Sequence, residues 1–171
     1  QKFADKSVYT DNIIIIKPGI DLNRYQWSRP NRTSNFKLMM ASAPMVGYPW
    51  STNWKEAFHN KGILILLDAI EQLKKSHDII LTLLWRGDFY NEILDYIREK
   101  NLDCVSVVNK NVNIYKYYKN NDATILPACT TINTPLYPNS IMESISVGRP
   151  VIVSEILHIS DTINDSKCGI S

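Results

Sequence analysis

Residues able to hold a ligand gather in one stretch near the carboxyl end, YPNSIMESISVGRPVIVS, residues 137–154. Glu143 follows Pro138-Asn139-Ser140 at the start of an apolar-periodic run that stops at Gly148 and enters a β-branched strand. The spacing Ser140-x-x-Glu143 is that of a capping box, in which the two side chains satisfy amides at a helix start. The same position serves a second chemistry. Amides of residues 139 to 141 would carry partial positive charge and offer a seat for a diphosphate. A carboxylate beside that seat repels phosphate but accepts hydrogen bonds from paired sugar hydroxyls, as acidic residues do with ribose in dinucleotide folds. On this pattern alone both readings stand.

Cations appear where the same ligand would need them. Lys61-Gly62 opens a predicted helix, and a lysine in a first turn opposes the helix dipole, so capping does not explain it. Lys61 either pairs with phosphate oxygens or is a solvated surface residue. In Trp85-Arg86-Gly87, at a strand's end, Arg86 either forks onto a phosphate or lies plainly on the surface. Gly87 lets backbone approach a ligand or makes a turn. The run Tyr115-x-Tyr117-Tyr118 reads as helix-to-sheet packing, with the alternative that one ring flanks a base. His59, His77 and His158 have no metal-ligand spacing. The chain has no Gly-x-Ser-x-Gly, no P-loop and no Gly-x-Gly-x-x-Gly after the first strand. No catalytic residue and no covalent nucleophile is assigned.

The elements that must position these residues follow from periodicity. Strands are expected at 13–16, 36–41, 79–85, 104–108, 123–126 and 150–154. Helices are expected at 61–75, 88–100, 112–119, 140–147 and 158–165. Residues 42 to 60 read as one long loop, functional or mobile. In the helix from Lys61, apolar residues at 63, 66, 67, 70 and 73 form a stripe that Ile65 and Ala69 broaden. Strands that are continuous apolar runs, alternating with helices, imply a parallel sheet covered on both faces. The fold class is therefore α/β, Rossmann-like, with ligands at the carboxyl ends of the strands.

Gross numbers are consistent with this. The 171 residues suffice for one domain, with 44% hydrophobic and 21% charged residues. A net charge of +2 does not suggest nucleic acid. Cys104, Cys129 and Cys168 read as buried thiols in a reducing compartment. No signal peptide is visible, and no apolar run approaches the roughly 20 residues of a membrane span. The chain opens on Gln1 and ends just as a further strand begins, so it reads as a piece of something longer.

Taken in order, the segments IIKPGIDLNRY, NKGILILLDAIEQL, YYKNNDATILPACTT and YPNSIMESISVGRPVIVS resemble group 1 (family 4-like) retaining glycosyltransferases of GT-B fold. The likeness spans nearly the whole chain. It implies that residues 1–171 are the carboxyl-terminal, nucleotide-sugar-binding domain, without the amino-terminal acceptor domain and final helix. The donor would be a nucleotide diphosphate-sugar, handled without a metal or other cofactor. Glu143 would bind ribose hydroxyls; Lys61, with the amides of Ser140 and Ile141, would neutralise the diphosphate. Base recognition would come from backbone around residues 109 to 114. The full-length enzyme would be cytoplasmic, at the inner face of a membrane through peripheral association. It would build glycans or cell-surface polysaccharide on a glycan or lipid-linked acceptor.

Two departures from the family pattern bear on activity. A second Glu, eight residues before the ribose Glu and contacting the donor sugar, is replaced here by Pro135, in a donor-sugar loop that leads to Asn139. A Gly-Arg after the second predicted strand is replaced by Ala41-Ser42-Ala43-Pro44, and Arg86 is the candidate to supply the lost charge. These departures keep alternatives open: a non-catalytic GT-B-like nucleotide- or protein-binding module, an unrelated flavodoxin-like regulatory domain, or a sugar-nucleotide epimerase.

Overall fold

The computed structural model describes residues 16–31, 33–44, 53–132 and 134–171. Six parallel strands form one sheet: β1 (Phe36–Met40), β2 (Ile79–Leu84), β3 (Val105–Val108), β4 (Ala123–Leu126), β5 (Val151–Val153) and β6 (Gly169–Ile170). Their spatial order is β3-β2-β1-β4-β5-β6. Leu38 of β1 pairs with Leu81 of β2 on one side and with Ala123 of β4 on the other. The chain therefore winds outward from β1 to β3, then crosses back to the far side of β1. That reversal opens a crevice at the carboxyl ends of β1 and β4. The doubly covered parallel sheet matches the expected Rossmann-like class. The strand expected at 13–16 falls almost wholly outside the described residues.

Among the described residues six helices connect the strands: α1 (Trp54–Asn60), α2 (Ile63–Leu73), α3 (Tyr90–Glu99), α4 (Ile114–Asn120), α5 (Asn139–Ser146) and α6 (Ser160–Ser166). Helix α2 buries Ile63, Leu66, Leu67 and Ile70, the i, i+3, i+4, i+7 set. Each such side chain contributes roughly 1.5–3 kcal/mol by leaving water. The stripe is narrower than expected: Ile65 and Ala69 face solvent, and Leu73 is exposed.

Helix α1 corrects the reading of 42–60 as unbroken loop. Asn53 caps it, its side chain accepting from the Glu56 amide at 3.0 Å. That Asn-x-x-Glu pattern was a legible start signal. Phe58 is buried, meeting Trp85 edge-on with ring centroids 5.4 Å apart. Helices α1 and α2 join at Gly62, whose φ of +68° is left-handed. A Cβ there would lie 1.6 Å from the Pro127 carbonyl oxygen, so the joint can press on the exit of β4 only as glycine. The three cysteines are unpaired and partly buried, not buried as expected.

Candidate functional site

Helix α5 is oriented by what it buries. Ile141 and Ser144 face the sheet, and the Ser144 hydroxyl donates to Thr124 Oγ1 of β4 at 2.8 Å. Ser140 and Glu143, three residues apart, share the other flank. With Asn139 they line a cavity of about 480 Å³ at the carboxyl ends of the strands. Its other walls are Ala41-Ser42-Ala43 after β1, Arg86 after β2, Lys110-Asn111-Val112 after β3, and Arg24-Tyr25 from the segment preceding β1. The volume is of the order of a small-molecule site. Three cationic side chains, Arg24, Arg86 and Lys110, surround it, and Glu143 is the carboxylate among its lining residues.

The capping box does not form. Helix α5 begins one residue earlier than expected, at Asn139, with Pro138 as N-cap and no side-chain cap. Glu143 therefore stands in the second turn, out of reach of a cap. Both the Ile141 and Met142 amides donate to the Pro138 carbonyl, at 3.0 and 3.1 Å. Ile141 thus uses its donor inside the helix, and its side chain is fully buried. Of the three amides expected to face a ligand, those of Asn139 and Ser140 remain, since they precede any intrahelical acceptor.

Glu143 is held from the side. The hydroxyl of Tyr118, a residue of α4 with no exposed surface, donates to Glu143 Oε2 at 2.9 Å. Tyr25, also buried, lines the same cavity as Glu143 and meets Tyr118 edge-on with ring centroids 6.3 Å apart. Burial, then the Glu143 hydrogen bond and charge, push the Tyr25 pKa up to about 12. Tyr118 is pushed up further, by burial first and then by the Glu143 charge. Both phenols therefore stay protonated donors across any physiological pH. The expectation that the tyrosine run packs a helix on the sheet describes Tyr118 only in part.

The remaining expected residues are placed as follows. Arg86 is exposed and lines the cavity with Glu143, Ser140 and Asn139. At Gly87 a Cβ would meet the Pro44 carbonyl oxygen at 1.9 Å. The Asp88 amide donates to that same oxygen at 3.1 Å, so Gly87 knits the exits of β1 and β2 together. Lys61 is not in the first turn of a helix. It is the C-cap of α1, where a cation is favoured by the dipole, which reverses the argument made from sequence. It is 9% exposed, burial pushes its pKa down, and it is not among the residues lining the cavity. Pro135 is exposed and also outside the lining.

Residues 53–171, more than two-thirds of the chain, match the family model described as glycosyl transferases group 1. The chain belongs to that family. No curated protein sequence matches it. Solved group 1 and related glycosyltransferases share its fold. One from Rickettsia africae superposes with a TM-score of 0.71 at 19% identity, covering 94% of this chain and 43% of that one. The Anabaena protein Alr3699/HepE, solved with UDP and glucose, gives 0.65 at 17% identity, covering 89% and 41%. WaaG, a glycosyltransferase of lipopolysaccharide biosynthesis, gives 0.63 at 18% identity, covering 89% and 40%. This group 1 chain thus spans less than half the length of these structures.

Three cavity residues of this chain, Arg24, Tyr25 and Lys110, received no side-chain role in the sequence reading, nor did Tyr118 as the partner of Glu143. Arg24 and Tyr25 close the segment IIKPGIDLNRY that carries part of the resemblance, but that segment is polar and without periodicity, so no role was assigned to either. Tyr118 had a signal, being a tyrosine on the buried face of a short helix, where its hydroxyl must find a partner.

Proposed function

We propose that this chain supplies the donor site of a retaining glycosyltransferase that moves a sugar from a nucleotide diphosphate-sugar to a glycan or lipid-linked acceptor. One observation carries the reading: Glu143 and Ser140, on one flank of α5, share a cavity with Arg24, Arg86 and Lys110. A nucleotide diphosphate-sugar is neutral and hydroxyl-rich at its ribose and doubly negative at its phosphates. An acid with cations around the same space fits both parts. Glu143 accepts from the ribose hydroxyls. Arg86 and the Asn139 and Ser140 amides meet the diphosphate. As the sugar–phosphate bond breaks, negative charge grows on the leaving oxygen, and fixed cations and dipoles lower that barrier. In this reading the charge is matched by side chains without a metal, so a chelator leaves binding unchanged. Lys61, outside the cavity lining, contributes to the diphosphate less than Arg86 does.

Residues 1–171 act as the carboxyl-terminal half of a two-domain enzyme, with the acceptor on a facing domain. The likeness to structures of more than twice this length supports that division. The complete enzyme works on the cytoplasmic side of a membrane in polysaccharide assembly. The 171-residue chain binds nucleotide weakly and does not turn over, because half of the cleft is elsewhere. Calorimetry with UDP, GDP and ADP against this chain and its Glu143→Ala variant tests the reading. Binding of one diphosphate, weakened in the variant, supports it; no binding of any of the three refutes it.

A second reading has its own observation. Pro135 stands where a sugar-contacting carboxylate is expected, and it is exposed and away from the cavity. A non-catalytic nucleotide- or protein-binding module follows from that. Nucleoside diphosphate released from a sugar nucleotide by the full-length protein would reject it.

A further inference from the structure

We propose that Tyr25 and Tyr118 are positioning residues that set the plane of the Glu143 carboxylate, making this site selective for ribose over 2′-deoxyribose. The inference rests on the donor-site reading above and deepens it. An ionised carboxylate has about four lone-pair sites. Tyr118 occupies one on Oε2, and Tyr25 lines the cavity with Glu143 and packs edge-on against Tyr118. Glu143 also lines the cavity, where its remaining sites are open to a ligand in this reading. Accepting from two neighbouring hydroxyls at once demands a fixed carboxylate plane, and an unrestrained glutamate has three side-chain torsions to order. Two phenols that stay protonated supply that order before any ligand arrives.

The phenols are themselves immobile. Tyr118 is wholly buried in α4. Tyr25 belongs to the segment before β1, which is pinned at several points. The Ser28 amide donates to the Val147 carbonyl at 3.2 Å, and the Tyr115 hydroxyl donates to the Gln26 carbonyl at 3.1 Å. Arg149 donates to the Ser28 carbonyl at 2.7 Å and its hydroxyl at 3.0 Å. Tyr25 also meets Tyr115 and Tyr118 edge-on, each at a centroid distance of 6.3 Å. Three separate elements, the leading segment, α4 and α5, thus converge on one carboxylate.

The test compares ribo- and 2′-deoxyribonucleoside diphosphates. Calorimetry with UDP, GDP and ADP and their 2′-deoxy forms is run on the chain, Glu143→Ala, Tyr25→Phe and Tyr118→Phe. Phenylalanine keeps each ring and removes only the hydroxyl. For the diphosphate that binds, the unaltered chain should prefer the ribo form by about tenfold, one charged hydrogen bond's worth. Glu143→Ala should abolish that preference. Tyr25→Phe and Tyr118→Phe should each lower it at least threefold while affinity for the deoxy form stays constant, which a merely structural loss would not spare. If the unaltered chain discriminates and both phenylalanine variants discriminate as well as it does, the proposal is overturned and the donor reading survives. A chain that binds diphosphates without preferring ribose overturns the role of Glu143 with it. Should Tyr118→Phe fail to fold, Tyr25→Phe decides alone.

Discussion

The guanidinium of Arg149 donates to the Ser28 carbonyl across 2.7 Å, tying the residue that follows α5 to the segment before β1. Arg149 is 2% exposed, yet its donors reach carbonyls and a hydroxyl, with no carboxylate among those acceptors. The Asn121 carbonyl accepts at 2.9 Å and the Lys119 carbonyl at 3.0 Å, both at the end of α4, and Val147 at the end of α5 accepts at 3.3 Å. Two negatively polarised helix ends thus stand in for an anion. Removing the side chain would orphan several buried carbonyls together. Arg149→Ala should cost about 3 kcal/mol of stability, read as a shifted denaturant midpoint. Arg149→Lys should rescue little, because one ammonium cannot span acceptors fixed for a planar fork. A midpoint within error of the parent for Arg149→Ala would sink this account.

Gly62 offers an independent check on how α1 and α2 reach the site. Its left-handed φ disfavours a side chain, and a Cβ would collide with the backbone of Pro127. Gly62→Ala is expected to lose at least about 2 kcal/mol, the conformational penalty adding to the clash. Urea melts of the two proteins measure it. Equal stability would mean that the joint relaxes freely.

Arg86, at the end of β2, is proposed to supply a charge that the family pattern places after β1. It is exposed and lines the cavity, so its removal should leave the fold intact. Arg86→Ala should weaken nucleoside diphosphate binding more than tenfold, as expected for losing a charge-assisted bond to phosphate. The loss should shrink as salt rises, because screening weakens the parent's interaction too. Lys61→Ala should weaken binding less. Unchanged affinity in Arg86→Ala would return the diphosphate to other cations.

Much of this was readable before any coordinates. Continuous apolar strands such as Ile79–Leu84 and the 63, 66, 67, 70 stripe gave the sheet and its covering helix directly, since burial on both faces leaves no polar alternation. Glu143 and Arg86 were found because they sit at ends of regular elements, where position in sequence implies position at the cleft. Lys61 differs in position from the expectation because the helix that starts after Asn53 makes it the C-cap of α1 and not a first-turn residue. Tyr25 could not be found at all. Its place beside Glu143 depends on its segment, whose Gln26 and Ser28 are tied to Tyr115, Val147 and Arg149 far along the chain, and no local pattern encodes that.

Alkaline pH should expose the tyrosines that hold Glu143. The Tyr25 pKa lies near 12 in the folded chain against 10.0 for the free phenol, and that of Tyr118 is also raised. The folded state therefore keeps protons that the unfolded state releases, and the stability these groups give is complete below pH 10. It declines as pH climbs from there through about 12. Lys61 acts with the opposite sign. Its folded pKa lies below the ordinary 10.5, so approaching that value from below relieves the cost of burying its charge and raises stability. Denaturant midpoints followed from neutral to strongly alkaline pH should show a steeper fall in the parent than in Tyr25→Phe, whereas Lys61→Met should lose the upward contribution below 10.5. Parallel profiles for parent and Tyr25→Phe would show that the Tyr25 hydroxyl does not bond Glu143 in solution.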